Sequence, residues 1–198
     1  MCKGKMEPGE MEKARAEQEE FKAMSCAELL LYLRDHWETM WEWDRVYLTS
    51  LLVQKGCQKG VPYLVEQLRS ADPSSRWQAL AGLKDLRCRE HRQLFVDLLL
   101  TDPDEDVRRH ALTGLSALFR GEHDIAILRL AIEAYDDQSS SVAMRLAAGA
   151  AMMYQFDVPK DLGWPSWWNE EEEDLQHPAL QWAVAQARQL LARGQSRL

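Results

Sequence analysis

Apolar residues return every three or four positions along most of this chain, the period of a buried helix face, and they do so in the same order three times. In the first passage an apolar stretch, Val61 to Leu68, runs into Asp72-Pro73 and then into a segment carrying Arg76, Ala79, Gly82, Leu83 and Leu86. The second follows it almost position for position, with Leu94 to Leu100, Asp102-Pro103, then Arg108, Ala111, Gly114, Leu115 and Leu118. Ala79, Gly82, Leu83 and Leu86 each recur 32 residues later. A looser third passage has Ile125 to Ala134, Asp136-Asp137, and a segment with Arg145, Ala148, Ala151 and Met152. Ser25 to Glu28 has capping-box spacing ahead of Leu29 to Leu33, and Trp43-Asp44-Arg45 opens an apolar stretch to Val53, so a degenerate earlier copy is expected.

Each passage predicts a helical hairpin. Asp72 and Asp102 stand where an N-cap side chain is wanted, each followed by a proline whose missing N–H costs nothing in a first helical turn. Alanine and glycine at fixed places in the second helix let neighbouring helices come close. One hairpin cannot bury such a face, but a stack of them can. The expected fold is all-α, a short right-handed α-solenoid of antiparallel hairpins over residues 25–156. Residues 1–24 are polar nearly all round and read as a solvated helix or tail. Residues 157–198 read as a Trp-rich acidic loop followed by a helix from about Pro178 to Ala192, with Leu180, Val184, Ala187 and Leu191 on one face, that caps the last repeat.

The Leu-rich helix, the Asp-Pro turn and the run Val107-Arg108-x-x-Ala111-Leu112-x-x-Leu115, clearest from Leu98 to Leu118, resemble HEAT and HEAT-like repeats of the PBS-lyase type. The resemblance covers roughly Val61 to Phe156. It implies a ladder in which Asp72, Asp102 and Asp137 pair with Arg76, Arg108 and Arg145, although the Asp-to-Arg spacing differs by two residues between the first and second copies. It also implies that the second helices form a concave binding face, which leaves Arg109 and His110 for contacts with a partner.

Charge narrows the choice of partner. Twenty-four Lys and Arg stand against 32 Asp and Glu, a net −8, which disfavours a phosphate-reading surface and hence nucleic acid. Residues 157–178 alone hold seven acidic side chains and one basic one. No apolar run approaches the roughly 18 residues of a membrane span. The first twenty residues, charged throughout, lack the apolar core of a signal peptide, so the reading is a protein of the cytosol. Four cysteines, Cys2, Cys26, Cys57 and Cys88, have no metal or redox spacing and are expected as reduced thiols.

The densest local feature is Trp164, Trp167, Trp168, Glu170, Glu171, Glu172, Glu173 and Asp174. Read as a binding loop, its indoles anchor a partner and its carboxylates steer a basic surface. Read as a cap, the same indoles cover the end of the last repeat. In a second cluster, Trp37, Trp41 and Trp43 with Tyr47, a continuous helix puts Trp37 and Trp41 on one face, a stripe expected as core or N-terminal cap, with partner binding as the alternative. The five histidines are scattered, with Cys88-x-x-His91 and Glu122-His123-Asp124 the nearest approaches to a ligand set. No catalytic, metal or cofactor motif stands out. The leading expectation is a non-catalytic protein-binding scaffold, monomeric or weakly oligomeric, of inhibitor, immunity or adaptor type. The alternative is a tetrapyrrole lyase-like protein or ligand-handling chaperone resembling the phycobilin lyases, with several tryptophans and Tyr154 flanking the pigment.

Overall fold

A computed structural model describes residues 8–163 and 171–195. Among the described residues there are ten α-helices and no strand. They are α1 (Pro8–Ala23), α2 (Cys26–His36), α3 (Glu42–Gln54), α4 (Val61–Gln67), α5 (Pro73–Asp85), α6 (Arg92–Thr101), α7 (Glu105–Leu118), α8 (Ile125–Asp136), α9 (Val142–Gln155) and α10 (Pro178–Gln195). The helices group into two compact units, Met1–Gln67 and Leu68–Leu198.

In the first unit, Leu29, Leu33, Trp37, Leu48, Leu51, Leu52 and Cys57 form the core, and Phe21, Met24, Cys26 and Tyr63 pack against it. Ser25 caps α2 reciprocally. Its hydroxyl accepts from the Glu28 N–H at 3.3 Å while its own N–H donates to the Glu28 carboxylate at 2.7 Å. The end of α1 is tied down by side chains of α3 and its cap, since the Tyr47 hydroxyl donates to the Gln18 carbonyl and Lys55 Nζ to that of Lys22. Buried Thr49 donates to Gln67 Oε1 at 2.9 Å, which satisfies both polar groups.

The Trp stripe takes a different form from the expected one. After His36 the chain tightens into a 3₁₀ turn, Trp37–Thr39, so Trp37 and Trp41 no longer share a helix face. Trp37 enters the core, its ring 4.9 Å from that of Tyr63 and under the Arg45 guanidinium. Trp41 and Trp43 are exposed.

The second unit is a short α-solenoid. Helices α5, α7 and α9 lie side by side, α6 backs α7, α8 backs α9, and α10 closes against α9 and α8. Phe95, Ala111, Leu112, Leu115, Ile127, Leu128, Ala148 and Met152 fill the interior. Small residues set the spacing as the sequence implies. A methyl group on Gly114 would fall 2.9 Å from the Phe95 ring, and one on Gly149 would fall 2.6 Å from Leu180 of α10.

The turns correct the expected capping and ladder. Asp72 does cap α5, accepting from the N–H groups of Ser74 and Ser75, with Pro73 in the first turn. The N-cap of α7, however, is Asp104, which accepts from the Val107 N–H, and Pro103 lies outside the helix. Ser141 caps α9. Each second helix therefore has its cap four residues before its arginine: Asp72 and Arg76, Asp104 and Arg108, Ser141 and Arg145. The two-residue discrepancy in the sequence arose from aligning on the Asp-Pro dipeptide instead of on the cap.

Asp102, released from capping, is buried and accepts both arms of Arg76. Arg76 also donates to the carbonyls of Ser70 and Ala71, and Arg108 repeats this with the carbonyls of Asp102 and Pro103. Arg108 does not pair with Asp137, whose carboxylate is taken by Ser139 and Ser140 of the extended third turn. Arg145 donates to the Tyr135 carbonyl and pairs with Glu172 at 3.2 Å.

At the opposite ends of the helices a second set of contacts crosses between repeats. Arg92 pairs with Asp124, Arg89 pairs with Glu122, and both guanidiniums lie over the Phe119 ring. Buried Gln155 continues the series. It accepts from the Asp124 N–H and donates to the carbonyls of Ser116 and Phe119, closing the end of α7 against the start of α8.

Candidate functional site

Because α6 and α8 cover one side of α7 and α9, the other side of the second helices is left toward solvent. Between α7 and α9 this side forms a shallow groove of about 290 Å³ lined by Arg109, Thr113, Ala143, Leu146, Ala147, Ala150 and Tyr154. Its floor comes from one helix, since Ala143, Ala147 and Ala150 follow at helical spacing on α9 and leave room where larger side chains would stand. Arg109 lies on α7, and Tyr154 lies on the last turn of α9 under the Arg120 guanidinium, 4.8 Å from its ring centre.

Arg109 is held in place by Asp106, one turn earlier, with Nη2 2.6 Å from the carboxylate. His110 stacks on Trp77 of α5, ring centres 4.9 Å apart and nearly parallel, with its outer edge exposed. Burial and the neighbouring Arg109 charge hold the imidazole below its ordinary pKa. Arg109 and His110 thus sit on adjacent parts of one surface, His110 toward α5 and Arg109 toward α9. Thr113, Ala143, Ala147 and Ala150 were not singled out from sequence, although small residues four and three apart on α9 were the available signal.

Of the acidic segment, Trp164, Trp167, Trp168 and Glu170 lie outside the described residues. Glu171, Glu172, Glu173 and Asp174 are described. Glu172 to Gln176 form a 3₁₀ helix closed by a reciprocal cap in which the Glu171 N–H donates to Asp174. Leu175 is buried, and its carbonyl accepts from Gln181 of α10 at 2.6 Å. Glu172 pairs with Arg145, fixing the segment at the end of α9 that also carries Ala143. Glu171 and Glu173 are exposed.

The polar residues that most resembled a ligand set are engaged in the fold. Glu122 and Asp124 take Arg89 and Arg92, Asp124 also caps α8, and His123 sits at positive φ with its ring on Phe156. Cys88 is buried in the turn before His91, and burial raises its thiol pKa. Cys26, Cys57 and Cys88 are not disulfide-bonded. Among the described residues no three His, Cys, Asp or Glu side chains come together as a metal site. No helix among them is long and apolar enough to cross a membrane.

The family model for HEAT repeats matches residues 61–152, just under half of the chain. No curated protein matches the chain. No solved structure matches it either.

Proposed function

From a chain whose residues 61–152 are HEAT repeats, we propose a non-catalytic protein-binding scaffold of inhibitor, immunity or adaptor type, whose α7–α9 groove takes a segment of a partner protein. The observation that carries this reading is the alanine floor of the groove, bordered by Arg109, Thr113 and Tyr154. Small side chains let a partner's backbone or a helix approach closely, while a cation, a hydroxyl and a phenol give direction to the contact. The exposed Glu171 and Glu173, anchored through Glu172 at the same end of α9, favour a partner with a basic surface. Trp164, Trp167, Trp168 and Glu170 adjoin them in sequence and are proposed as the aromatic and acidic remainder of that contact.

The ligand-handling alternative draws on Tyr154, which does line the groove. A groove of about 290 Å³ lies, however, just below the range of roughly 300–1,000 Å³ typical of small-molecule sites, and it is partly open to solvent. A protein segment suits it better than a four-ring pigment.

The test is affinity capture from the native lysate at low and moderate salt, with mass spectrometry and an absorbance spectrum of the eluate. One stoichiometric basic protein, retained by the parent chain and lost by Ala147→Trp and by Glu171→Gln/Glu173→Gln, is the expected result. A coloured eluate, or capture indifferent to Ala147→Trp in a variant of unchanged helicity, would overturn the reading.

A further inference from the structure

The first unit exposes two tryptophans that its fold does not use. Trp41 is 82% exposed and Trp43 71%, whereas Trp37, four residues earlier, is only 9% exposed. Large exposed apolar side chains rimmed by polar ones mark a contact surface, whereas a single exposed leucine needs no explanation. Their backbone roles do not account for them. Trp41 is the N-cap of α3 and makes no side-chain cap hydrogen bond, at a position where Ser, Thr, Asp or Asn would satisfy an N–H of the first turn. Trp43 stands in that first turn and points away from the core that Val46, Leu48, Leu51 and Leu52 build from the same helix.

The surroundings fix the sign of what would lie there. Glu38, Glu42 and Asp44 alternate with the two indoles, all three exposed, and residues 37–44 hold no cation. Glu42 and Asp44 also favour the helix N-terminus, which explains their presence in the first turn but not the indoles between them. The next residue, Arg45, is turned inward. Its guanidinium lies 5.1 Å from the Trp37 ring centre and its Nε is buried without a hydrogen-bond partner. The cation that follows in sequence is therefore engaged with the interior, and the exposed side chains Glu38, Trp41, Glu42, Trp43 and Asp44 are aromatic or acidic.

We propose that Trp41 and Trp43, with Glu38, Glu42 and Asp44, form a docking surface for a Lys- or Arg-bearing segment of a partner protein. Guanidinium or ammonium groups stack on the indole faces and pair with the flanking carboxylates, a combination that discriminates cations from both apolar and acidic segments. The surface belongs to the first unit and does not depend on the α7–α9 groove.

The experiment measures fluorescence anisotropy of a labelled Arg-Gly repeat peptide, and of its Glu-Gly counterpart, against the full chain at about 0.15 M salt, where long-range attraction to a net-negative protein is screened. Trp41→Ala/Trp43→Ala is expected to weaken binding of the basic peptide about tenfold or more, with circular dichroism and thermal midpoint unchanged. Glu38→Gln/Asp44→Asn should weaken it and flatten its salt dependence. Glu171→Gln/Glu173→Gln and Ala147→Trp should leave it as in the parent, which separates this surface from the groove. Loss of basic-peptide binding in Glu171→Gln/Glu173→Gln, with Trp41→Ala/Trp43→Ala binding as the parent does, would put the contact on the C-terminal segment and overturn the proposal. Equal binding of the basic peptide by the parent and the double Trp variant, or equal binding of the acidic peptide by the parent, overturns the proposal. Should the alanine variant lose helicity, Trp41→Leu/Trp43→Leu keeps the apolar bulk while removing the indole faces, and undiminished binding by it has the same consequence.

Discussion

Arg76 reaches from α5 to the turn before α7 and donates two hydrogen bonds to Asp102, Nε to Oδ2 and Nη2 to Oδ1, each 2.7 Å long. The same guanidinium caps the carbonyls of Ser70 and Ala71, so one side chain closes its own turn and joins it to the next. Asp102 in turn accepts from the Asp104 N–H at 2.9 Å, positioning the residue that caps α7. The pair is buried on both sides, its side chains 10% and 2% exposed. Arg145 and Glu172 stand in the corresponding relation at the last repeat, 27 residues apart against 26 for Arg76 and Asp102, but there the carboxylate is exposed. What is a link between repeats in one place is the attachment of the C-terminal segment in the other.

Removing Asp102 strands a buried cation. Asp102→Ala should destabilise the second unit by about 3–5 kcal/mol, far more than the loss of an N-cap alone. Replacing both partners, Arg76→Met with Asp102→Leu, should recover part of that loss. Recovery stays incomplete because the Ser70 and Ala71 carbonyls lose their donor. Urea titration monitored by circular dichroism decides it, and a cost for Asp102→Ala under about 1 kcal/mol would mean that water replaces the carboxylate.

Acid should weaken the same contacts. Burial works to raise the Asp102 carboxyl, but the hydrogen bonds from Arg76 and the Asp104 N–H outweigh it and leave the pKa below the ordinary value. For Asp124 the hydrogen bond from Arg92 is the largest influence, and the result has the same sign. Both groups release their protons more readily folded than unfolded. Their contribution is therefore complete above the ordinary carboxylate pKa of about 3.9 and is lost as the pH falls through the lower folded values. The urea midpoint should fall slightly between pH 7 and about pH 5, where His110 takes up its proton more readily unfolded than folded, and then drop further as the two carboxylates protonate. Asp124→Asn keeps an N-cap for Ala126 and Ile127 while deleting the charge opposite Arg92, so it should shallow the drop without moving α8.

The helices were legible because hydrophobic period, Asp turns and small residues all pointed the same way. Two errors share one cause, the reading of a local motif without its backbone. Asp102-Pro103 has the composition of a cap, yet two more residues precede the helix and Asp104 takes the role. Trp37 and Trp41 have helical spacing, yet a 3₁₀ turn intervenes and sends one ring inward and the other out. At the candidate site, Arg109 and His110 could be placed on a second helix from the repeat alone. The groove beside Arg109 could not, because its shape comes from absent side chains at Ala143, Ala147 and Ala150, and alanines in a helix signal packing as readily as space. The Glu172 contact with Arg145 bridges a segment outside the repeat, where periodicity carries no information.

Gly149 tests whether α10 is a fixed part of the second unit. A Cβ there would meet Leu180 at 2.6 Å and 2.7 Å, too close for any real contact, while the Leu180 side chain is fully buried and has little room to withdraw. Gly149→Ala should cost about 1–3 kcal/mol through overpacking, despite alanine's better helix propensity. Leu180→Ala in the same chain should relieve the clash, giving a double mutant more stable than the two separate losses predict. Strict additivity in a double-mutant cycle would show that α10 shifts freely and is not seated on α9.

Two helix ends in different units make the same turn with different residues. After α3, Gly56 lies at φ 65 and the Cys57 N–H returns to the Leu52 carbonyl; after α5, Arg87 lies at φ 56 and the Cys88 N–H returns to that of Leu83, both at 2.9 Å. This is the helix-ending motif in which a left-handed residue lets the chain leave the helix while orphan carbonyls are satisfied. Nothing lies within 4 Å of a Cβ built on Gly56, so Gly56→Ala isolates the backbone cost of the left-handed conformation, about 1 kcal/mol. Arg87 already bears that cost. Arg87→Gly should stabilise the second unit, by about 0.5 kcal/mol once the greater freedom of glycine in the unfolded chain is set against the relieved strain. Opposite signs for the two substitutions in thermal unfolding are the expected result. If Arg87→Gly instead destabilises, the Arg87 side chain makes a contact worth more than its backbone strain, and the equivalence of the two turns is geometric only.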